Sequence, residues 1–182
     1  MTAMTTLPRS RPFTRADLDA APDDGHRYEL IDGVLVVTPA PSIRHQRAQI
    51  RLVQALAPAV PEGLEILAAP VDVAISDSTV MQPDLLLAAT AAFTDKDLPV
   101  APLLAIEILS PSTRRFDLVL KRARYEAAGC EHYWVVDPDQ PRITAWALQG
   151  GSYVEVADAA GDEELVVTAP VELRLRPSTL ID

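Results

Sequence analysis

The sequence predicts an α/β or α+β domain built on a mixed central β-sheet. Short apolar runs bounded by Pro, Ser or Gly, which are typical of strands, alternate with two longer segments of helical periodicity. The pairs Asp32-Gly33 and Gly150-Gly151 each separate two strand-like runs, and such pairs favour tight hairpins because both turn residues must reach positive φ. We therefore expect antiparallel hairpins joined to a sheet that helices cover.

Length and composition favour one folded domain. The chain has 182 residues, 48% of them apolar, and shows neither an internal repeat nor an interdomain linker. Residues 1–12 contain two prolines and no periodicity, so we predict a flexible N-terminal arm there. Residues 13–182 are predicted to form a single domain.

The N-terminal half predicts one short helix, a hairpin and one long helix. Residues 14–20 have Thr and Asp where a helix N-terminus favours them. Residues 27–31 and 34–37 flank the Asp-Gly turn and form the hairpin. The long helix covers residues 41–57, and two strand-like pieces broken at Pro70 follow it.

The C-terminal half predicts strands around a second helix. Two apolar strands lie near residues 84–88 and 104–109. The helix is predicted to begin with Asp117 as N-cap and to end before Gly129. The remaining strands are residues 131–138 and a terminal antiparallel set at 142–148, 152–156 and 165–168.

Charge and cysteine content limit the possible locations and partners. No apolar run approaches the roughly 20 residues of a membrane helix, so we expect no membrane partner. The single cysteine, Cys130, excludes an intrachain disulfide, and the N-terminus lacks the apolar region of a secretory signal; both favour the cytoplasm. The net charge of −10 counts against indiscriminate nucleic-acid binding.

Two acids occupy positions that a soluble core would not choose. Asp84 opens one apolar strand, and Glu107 interrupts another between Ile106 and Ile108. A carboxylate inside a buried strand is costly unless it is paired or holds a metal ion. Two carboxylates on adjacent strands can face one cation, and the Ile108 carbonyl lies beside them. Mg²⁺ (or Mn²⁺) takes such oxygen ligands and keeps several waters, so the sequence predicts a magnesium site here.

Basic residues follow the two acids. Lys121 lies on the predicted inner face of the second helix, where it could orient a water or stabilise phosphate oxygens. Five of the sixteen Lys and Arg residues lie between positions 114 and 124, and Arg114, Arg115 and Arg124 could hold a polyanion. The local charge thus favours a nucleic-acid partner although the whole chain is acidic.

Each candidate also has a structural interpretation. Asp84 could be a turn acid, and Lys121 could extend along apolar surface to water. Together with Glu107 they could form a buried ion-pair network without chemistry. His45, on the apolar side of the first long helix, could be an accessory site residue or a packing histidine. These alternatives stay open at this point.

Motifs in a specific order resemble one known family. They are Tyr28-Glu29-Leu30-Ile31-Asp32-Gly33, Pro83-Asp84-Leu85, Glu107-Ile108-Leu109-Ser110-Pro111-Ser112-Thr113, Asp117 with Lys121 and Tyr125, and Tyr133-Trp134-Val135-Val136-Asp137-Pro138. This pattern resembles the Uma-two family of restriction-endonuclease-like proteins, within the PD-(D/E)XK nuclease superfamily, over roughly residues 12 to 175. The resemblance implies a restriction-endonuclease-like mixed β-sheet flanked by helices.

The resemblance also implies roles for individual residues. Asp84 would be the acid of the Pro-Asp motif, Glu107 the second acid, and Glu29 an early acid that can complete the metal site. The superfamily lysine would fall at position 109, where this chain has Leu109. Lys121 is the substitute that the family pattern implies.

From these observations we predict a Mg²⁺-dependent endonuclease that acts on DNA, with Asp84, Glu107, Lys121 and Glu29 in its active site. A homodimer is expected by analogy with nucleases that cut both strands. The alternative is a nuclease-fold module that binds nucleic acid or protein without catalysis, which the acidic net charge and Leu109 favour. A purely structural oligomerising domain is a third interpretation.

Overall fold

The computed structural model describes residues 5–6 and 11–181. Of the predicted N-terminal arm, residues 1–4 and 7–10 lie outside the described residues, so the arm stays a prediction. The described part of the chain contains, in order, β1 (Thr5–Thr6), α1 (Arg15–Asp19), β2 (Arg27–Ile31), β3 (Val34–Thr38), α2 (Ile43–Leu56), β4 (Leu64–Ala68), β5 (Asp72–Ser76), β6 (Thr79–Met81), β7 (Leu85–Ala89), β8 (Asp97–Leu98), β9 (Leu104–Ile108), α3 (Arg122–Ala127), β10 (His132–Asp137), β11 (Arg142–Gln149), β12 (Ser152–Ala160), β13 (Leu165–Val167) and β14 (Leu173–Leu175).

The central sheet is mixed and flanked by helices, as the sequence predicts. Its strand order is β12-β11-β10-β9-β7-β4. β9 and β10 pair in parallel, whereas the other neighbouring strands are antiparallel. All five residues of β9 are buried, which explains why this strand reads as a continuous apolar run apart from Glu107.

Each face of the central sheet packs against a different set of elements. On one side, here called the α2 face, Ala48, Leu52 and Leu56 of α2 pack with Ile106 and with the C-terminal strands. On the other side, here called the Lys121 face, Tyr125 of α3 packs with residues of the second sheet. The helix stripe and the period-two strands thus bury two separate cores.

The second sheet has the order β1-β3-β2-β6-β5-β8 and contains the predicted hairpin. Asp32 and Gly33 adopt φ angles of 52° and 75°, so the Asp-Gly turn is confirmed. Through this hairpin β2 delivers Glu29 to the Lys121 face. β6 pairs with β2 and leads the chain into Asp84.

The second long helix starts earlier than the sequence predicts. Ser110, not Asp117, is its capping residue, because the Ser110 side chain accepts a hydrogen bond from the Thr113 amide at 3.2 Å. The backbone becomes helical at residue 114, widens into a π-helical segment over Phe116–Lys121 and continues as α3. The predicted N-cap role of Asp117 is therefore wrong, and Asp117 is buried inside the helix.

The predicted terminal strand set is confirmed in part. β11 and β12 pair antiparallel across the Gly-Gly turn. β13 instead pairs with β14 in a separate two-stranded sheet. None of the helices in the described residues combines the length and apolar character needed to span a bilayer.

Candidate active site

The two acids predicted from the apolar strands lie side by side. β7 and β9 are antiparallel neighbours, and Asp84 stands one residue before β7. Asp84 Oδ2 accepts a hydrogen bond from the Ile108 amide at 2.8 Å. Both Asp84 and Glu107 line one cavity of about 570 Å³, and each is at most 2% exposed. The two carboxylates therefore face the same space.

Asp84 is held on every side by hydrogen-bond donors. Arg27 Nη1 lies 3.2 Å from Asp84 Oδ1, and His45 Nε2 lies 3.0 Å from Oδ2. Gln49, one turn further along α2, donates to the Asp84 backbone carbonyl at 2.8 Å. Burial acts to raise the pKa of Asp84, but the bond to His45, the charges of His45 and Arg27, and the Ile108 amide lower this pKa to about 2. Asp84 is therefore a carboxylate at neutral pH.

Lys121 is buried among three acids. Its Nζ lies 2.8 Å from Glu29 Oε1, 3.2 Å from Glu107 Oε1 and 3.8 Å from Asp117 Oδ1. Burial acts to lower the pKa of Lys121, but the charges of Glu107, Glu29 and Asp117 outweigh it and raise this pKa above its ordinary value. Lys121 therefore keeps its proton and acts as a fixed positive charge.

Glu107 and Asp117 are less completely neutralised. Burial, together with the charges of Asp117, Asp84 and Glu29, holds the pKa of Glu107 well above its usual range, against the lowering effect of Lys121. Burial likewise raises the pKa of Asp117 to about 6, although Lys121 and a bond from Thr113 oppose it. In the absence of a further cation, burial thus favours the protonated forms of these two acids.

Glu29 completes this network from the second sheet. Its Oε1 accepts a hydrogen bond from the Gln82 amide at 2.7 Å as well as the ion pair from Lys121. Within the described residues, Glu29 Oε2 and Glu107 Oε1 are buried atoms without a hydrogen-bond partner. Lys121 Nζ forms an ion pair with Glu107 Oε1 at 3.2 Å but is not aligned to donate a hydrogen bond, so this oxygen lacks a hydrogen-bond donor among the described groups.

The cavity continues past Asp84 into a second hollow. This hollow has a volume of about 510 Å³ and shares Gly25, Arg27, Pro41, His45 and Asp84 with the first cavity. The first turn of α2 lines both spaces. Asp84 therefore lies midway along a continuous cleft rather than at the end of a pocket.

The structure separates the three arginines that were predicted as phosphate contacts. Arg114 is half exposed and pairs with Asp137 at 2.5 Å. Arg115 is exposed, and no ion pair holds it in the described part of the chain. Arg124 binds both carboxylate oxygens of Asp32 at the hairpin turn and does not line the cavity. Their role in phosphate binding stays a prediction.

His45 lies in the site. The sequence alone is compatible with either an accessory site residue or a packing histidine at this position. It is 6% exposed, and its Nε2 contacts Asp84 while its backbone amide binds the N-cap Ser42 at 3.2 Å. Its position on the apolar stripe, one turn from the helix start, is the signal that brings it to the cleft.

Two residues of the site were missed as participants. Arg27 lies two positions before Glu29, so strand alternation puts both on the same face of β2. Asp117 lies four positions before Lys121, the spacing at which helical side chains meet. Both spacings are present in the sequence. Neither spacing shows which residue of a neighbouring element the side chain will contact.

The donor set fits a hard divalent ion with few protein ligands. Among the residues that the structure describes, no group of three or more His, Cys, Asp and Glu side chains is arranged as a metal site. Mg²⁺ commonly uses one or two carboxylates and keeps its water. Asp84 and Glu107 share a cavity, and Glu107 Oε1 lacks a hydrogen-bond partner among the described groups. The residues therefore fit a two-carboxylate site.

Comparisons with known proteins give the family and the fold of the chain. The model of the Uma2 family, described as a putative restriction endonuclease, matches residues 15–178. Among solved structures, the chain is similar to a putative nuclease belonging to DUF820 from Anabaena variabilis, with a TM-score of 0.72 and 20% identity. The similarity covers 93% of this chain and 98% of that one, and at this identity it shows a shared fold. No curated protein matches the chain.

Proposed function

The chain belongs to the Uma2 family, and we propose from this membership and from the cleft that it is a metal-dependent nuclease that hydrolyses phosphodiester bonds of DNA. The family match bears out the resemblance that the sequence motifs carry. The dependence on Mg²⁺ (or Mn²⁺) and the choice of DNA are parts of the proposal, as are the site roles.

The charge balance of the cleft is the observation that carries the proposal. Among the described residues of the cluster, four acids, Glu29, Asp84, Glu107 and Asp117, face the permanent cations Arg27 and Lys121, and His45 also contacts Asp84. Buried charges that lack partners are costly, so a structural ion-pair network would be expected to balance. Burial and the neighbouring acids hold the pKa of Glu107 well above its usual range, and a divalent cation is the partner that would allow Glu107 to ionise.

The proposed ligands are the carboxylates of Asp84 and Glu107, with the Ile108 carbonyl and water. An ion bound there supplies a Lewis acid that acidifies water and offsets the negative charge of the phosphate. Arg27, His45 and the Ile108 amide fix the orientation of Asp84. This preorganisation removes the cost of arranging the carboxylate during the reaction.

Lys121 is proposed to position water and phosphate oxygens as an ammonium group. Because its pKa is raised, it does not remove a proton from water at neutral pH. It instead donates hydrogen bonds and offsets the charge that develops on the phosphate as water attacks phosphorus and the ester P–O bond breaks. Glu29 holds the ammonium in place at 2.8 Å.

Nicking of supercoiled plasmid by purified protein tests the proposal. We expect nicking with Mg²⁺ or Mn²⁺ and none with EDTA. Glu107→Gln should lower the rate by roughly 100-fold or more, because a lost metal ligand removes several kcal/mol of stabilisation. Glu164→Gln, at an exposed acid paired with Arg174, is the matched control and should nick at the wild-type rate. A folded Glu107→Gln protein that nicks normally would contradict the proposal.

A second candidate is a nuclease-fold module that binds nucleic acid without catalysis. It is favoured by the donors that occupy both oxygens of Asp84 and by Leu109 in the superfamily lysine position. Titration calorimetry separates the two candidates. Binding of Mn²⁺ that disappears in Glu107→Gln supports the enzyme, whereas the absence of binding by the wild-type protein supports the module.

A further inference from the structure

The exposed side of α2 carries positive charge in an otherwise acidic protein. Its fourteen residues contain Arg44, Arg47 and Arg51 and no acidic residue, although the chain has a net charge of −10. These arginines follow one another at three and four positions, so they share one side of the helix. With a rise of about 1.5 Å per residue, their Cα atoms span roughly 10 Å along the helix axis.

The positive charges of the α2 arginines are only weakly neutralised by neighbouring acids. Arg47 has no ion-pair partner in the part of the chain that the structure describes. Arg51 donates a hydrogen bond to the neutral Thr179 carbonyl at 3.1 Å. Arg44 lies 3.4 Å from Asp139, but both side chains are more than half exposed, so solvent screens this pair. By contrast, Arg114 and Arg124 are each engaged by a carboxylate at 2.5 Å.

The same helix reaches the candidate active site with its other side. His45 binds Asp84, Gln49 binds the Asp84 backbone, and both residues line the cleft together with Gln46. Arg44, the first of the three arginines, lies 3.4 Å from Asp139, which lines the same cavity as Asp84. A polyanion that lies along the arginines therefore reaches the cleft at the N-terminal end of α2. A flat cationic patch elsewhere on the surface would offer no such continuity.

We propose that the arginine side of α2, defined by Arg44, Arg47 and Arg51, binds the phosphate backbone of duplex DNA and guides it to Asp84. This inference deepens the proposed nuclease function and rests on it. The contacts are to phosphate and carry no sequence information, since guanidinium groups on a helix surface bind the backbone by charge.

The test measures binding separately from cleavage. Fluorescence anisotropy of a labelled 20-base-pair duplex is recorded in EDTA, from 50 to 300 mM salt. Arg44→Gln/Arg47→Gln is compared with Lys96→Gln, which removes one positive charge from an exposed pair with Asp19 away from α2. Circular dichroism and thermal melting verify that each variant is folded.

We expect the affinity of the double variant to fall by about eightfold per lost phosphate contact at 0.1 M salt, from counterion release alone. The slope of log K against log salt should become shallower by about two, while Lys96→Gln keeps the wild-type slope. Equal binding and slope in the double variant and the wild type would overturn the inference. So would an RNA hairpin of equal charge that displaces the duplex at lower concentration.

Because these measurements exclude metal, failure of the two proposals can be told apart. Duplex binding that depends on α2 without any metal-dependent nicking would contradict the nuclease proposal and retain the binding surface. Nicking that the double variant performs at the wild-type rate and affinity would retain the nuclease and remove the surface.

Discussion

At the scale of single residues, the site depends on one lysine that is buried among three acids. Lys121 and Glu29 are both almost fully buried and lie 2.8 Å apart. A buried ion pair gives little net stability relative to apolar residues, but a single buried partner left alone is strongly destabilising. Replacing only one of the two residues should therefore lower the stability much more than replacing both.

Urea unfolding can test this coupling. Lys121→Met should lower the free energy of unfolding by about 3 to 5 kcal/mol, because Glu29 and Glu107 would lose their shared cation. Adding Glu29→Gln to that variant should restore a large part of the loss, since one of the unpaired charges is gone. Nicking activity should stay absent in both variants. A double variant no more stable than Lys121→Met would show that the two side chains are not coupled.

Cys130 provides a residue-level prediction outside the site. Burial raises the pKa of its thiol to about 11. The unfolded value is about 8.5, so the neutral thiol favours the folded state. This contribution is complete below about pH 8.5 and is lost as the pH rises toward 11. By pH 10 the loss should reach about 2 kcal/mol.

The measurement is a set of denaturant titrations between pH 8 and 10. The wild type should lose stability over this interval, and Cys130→Ala should show a flatter profile because it has no thiol to ionise. The native thiol should also resist a disulfide reagent at pH 8 until the protein unfolds. Rapid stoichiometric labelling of folded protein would contradict the assigned burial.

At the scale of elements, the sequence predicts types better than boundaries. The Asp-Gly hairpin and α2 are set by local chemistry, namely positive φ at the turn and a Ser42 cap with an apolar stripe. The start of the second helix was also readable, because Ser110-Pro111 is an N-cap followed by a proline suited to the first turn. Asp117 is an alternative N-cap in the sequence, because Asp is favoured at that position. In the structure it is instead a buried residue inside the helix.

Other features of the elements depend on distant parts of the chain. The π-helical widening over Phe116–Lys121 adds a residue to the turn without a local sequence signal. The contacts of Arg27 and Gln82 with the site acids arise only when the second sheet meets the central one. Periodicity identifies the faces of an element but not the partner that it meets.

Deleting Val119 tests whether the π segment positions the site. Val119 is 63% exposed, so its removal creates no cavity. Closing the segment to α geometry would turn the preceding residues by about 100° relative to Lys121 and withdraw Asp117. We expect a large loss of nicking with a modest change in melting temperature, whereas Val119→Ala should behave like the wild type. Full activity of the deletion variant would show that the wide turn is not required.

At the scale of the whole molecule, the cleft around Asp84 belongs to a protein of acidic net charge. Its net charge of −10 repels DNA at long range, so binding has to come from local positive charge such as the arginine side of α2. Under the proposed function, one such cleft would cut one strand at a time. The cytoplasmic location and the homodimer both stay predictions from the sequence.

The homodimer is predicted by analogy with nucleases that cut both strands. The strands of a duplex run in opposite directions, so two sites related by a two-fold axis can meet both equivalently. We expect light scattering to give twice the mass of the 19.7 kDa chain at working concentration. Plasmid assays should then yield linear product early, and dilution below the dimer dissociation constant should leave only nicked circles. A monomeric mass at every concentration, with nicked circles as the sole early product, would show that each chain acts alone, and double-strand cleavage would then need two independent encounters.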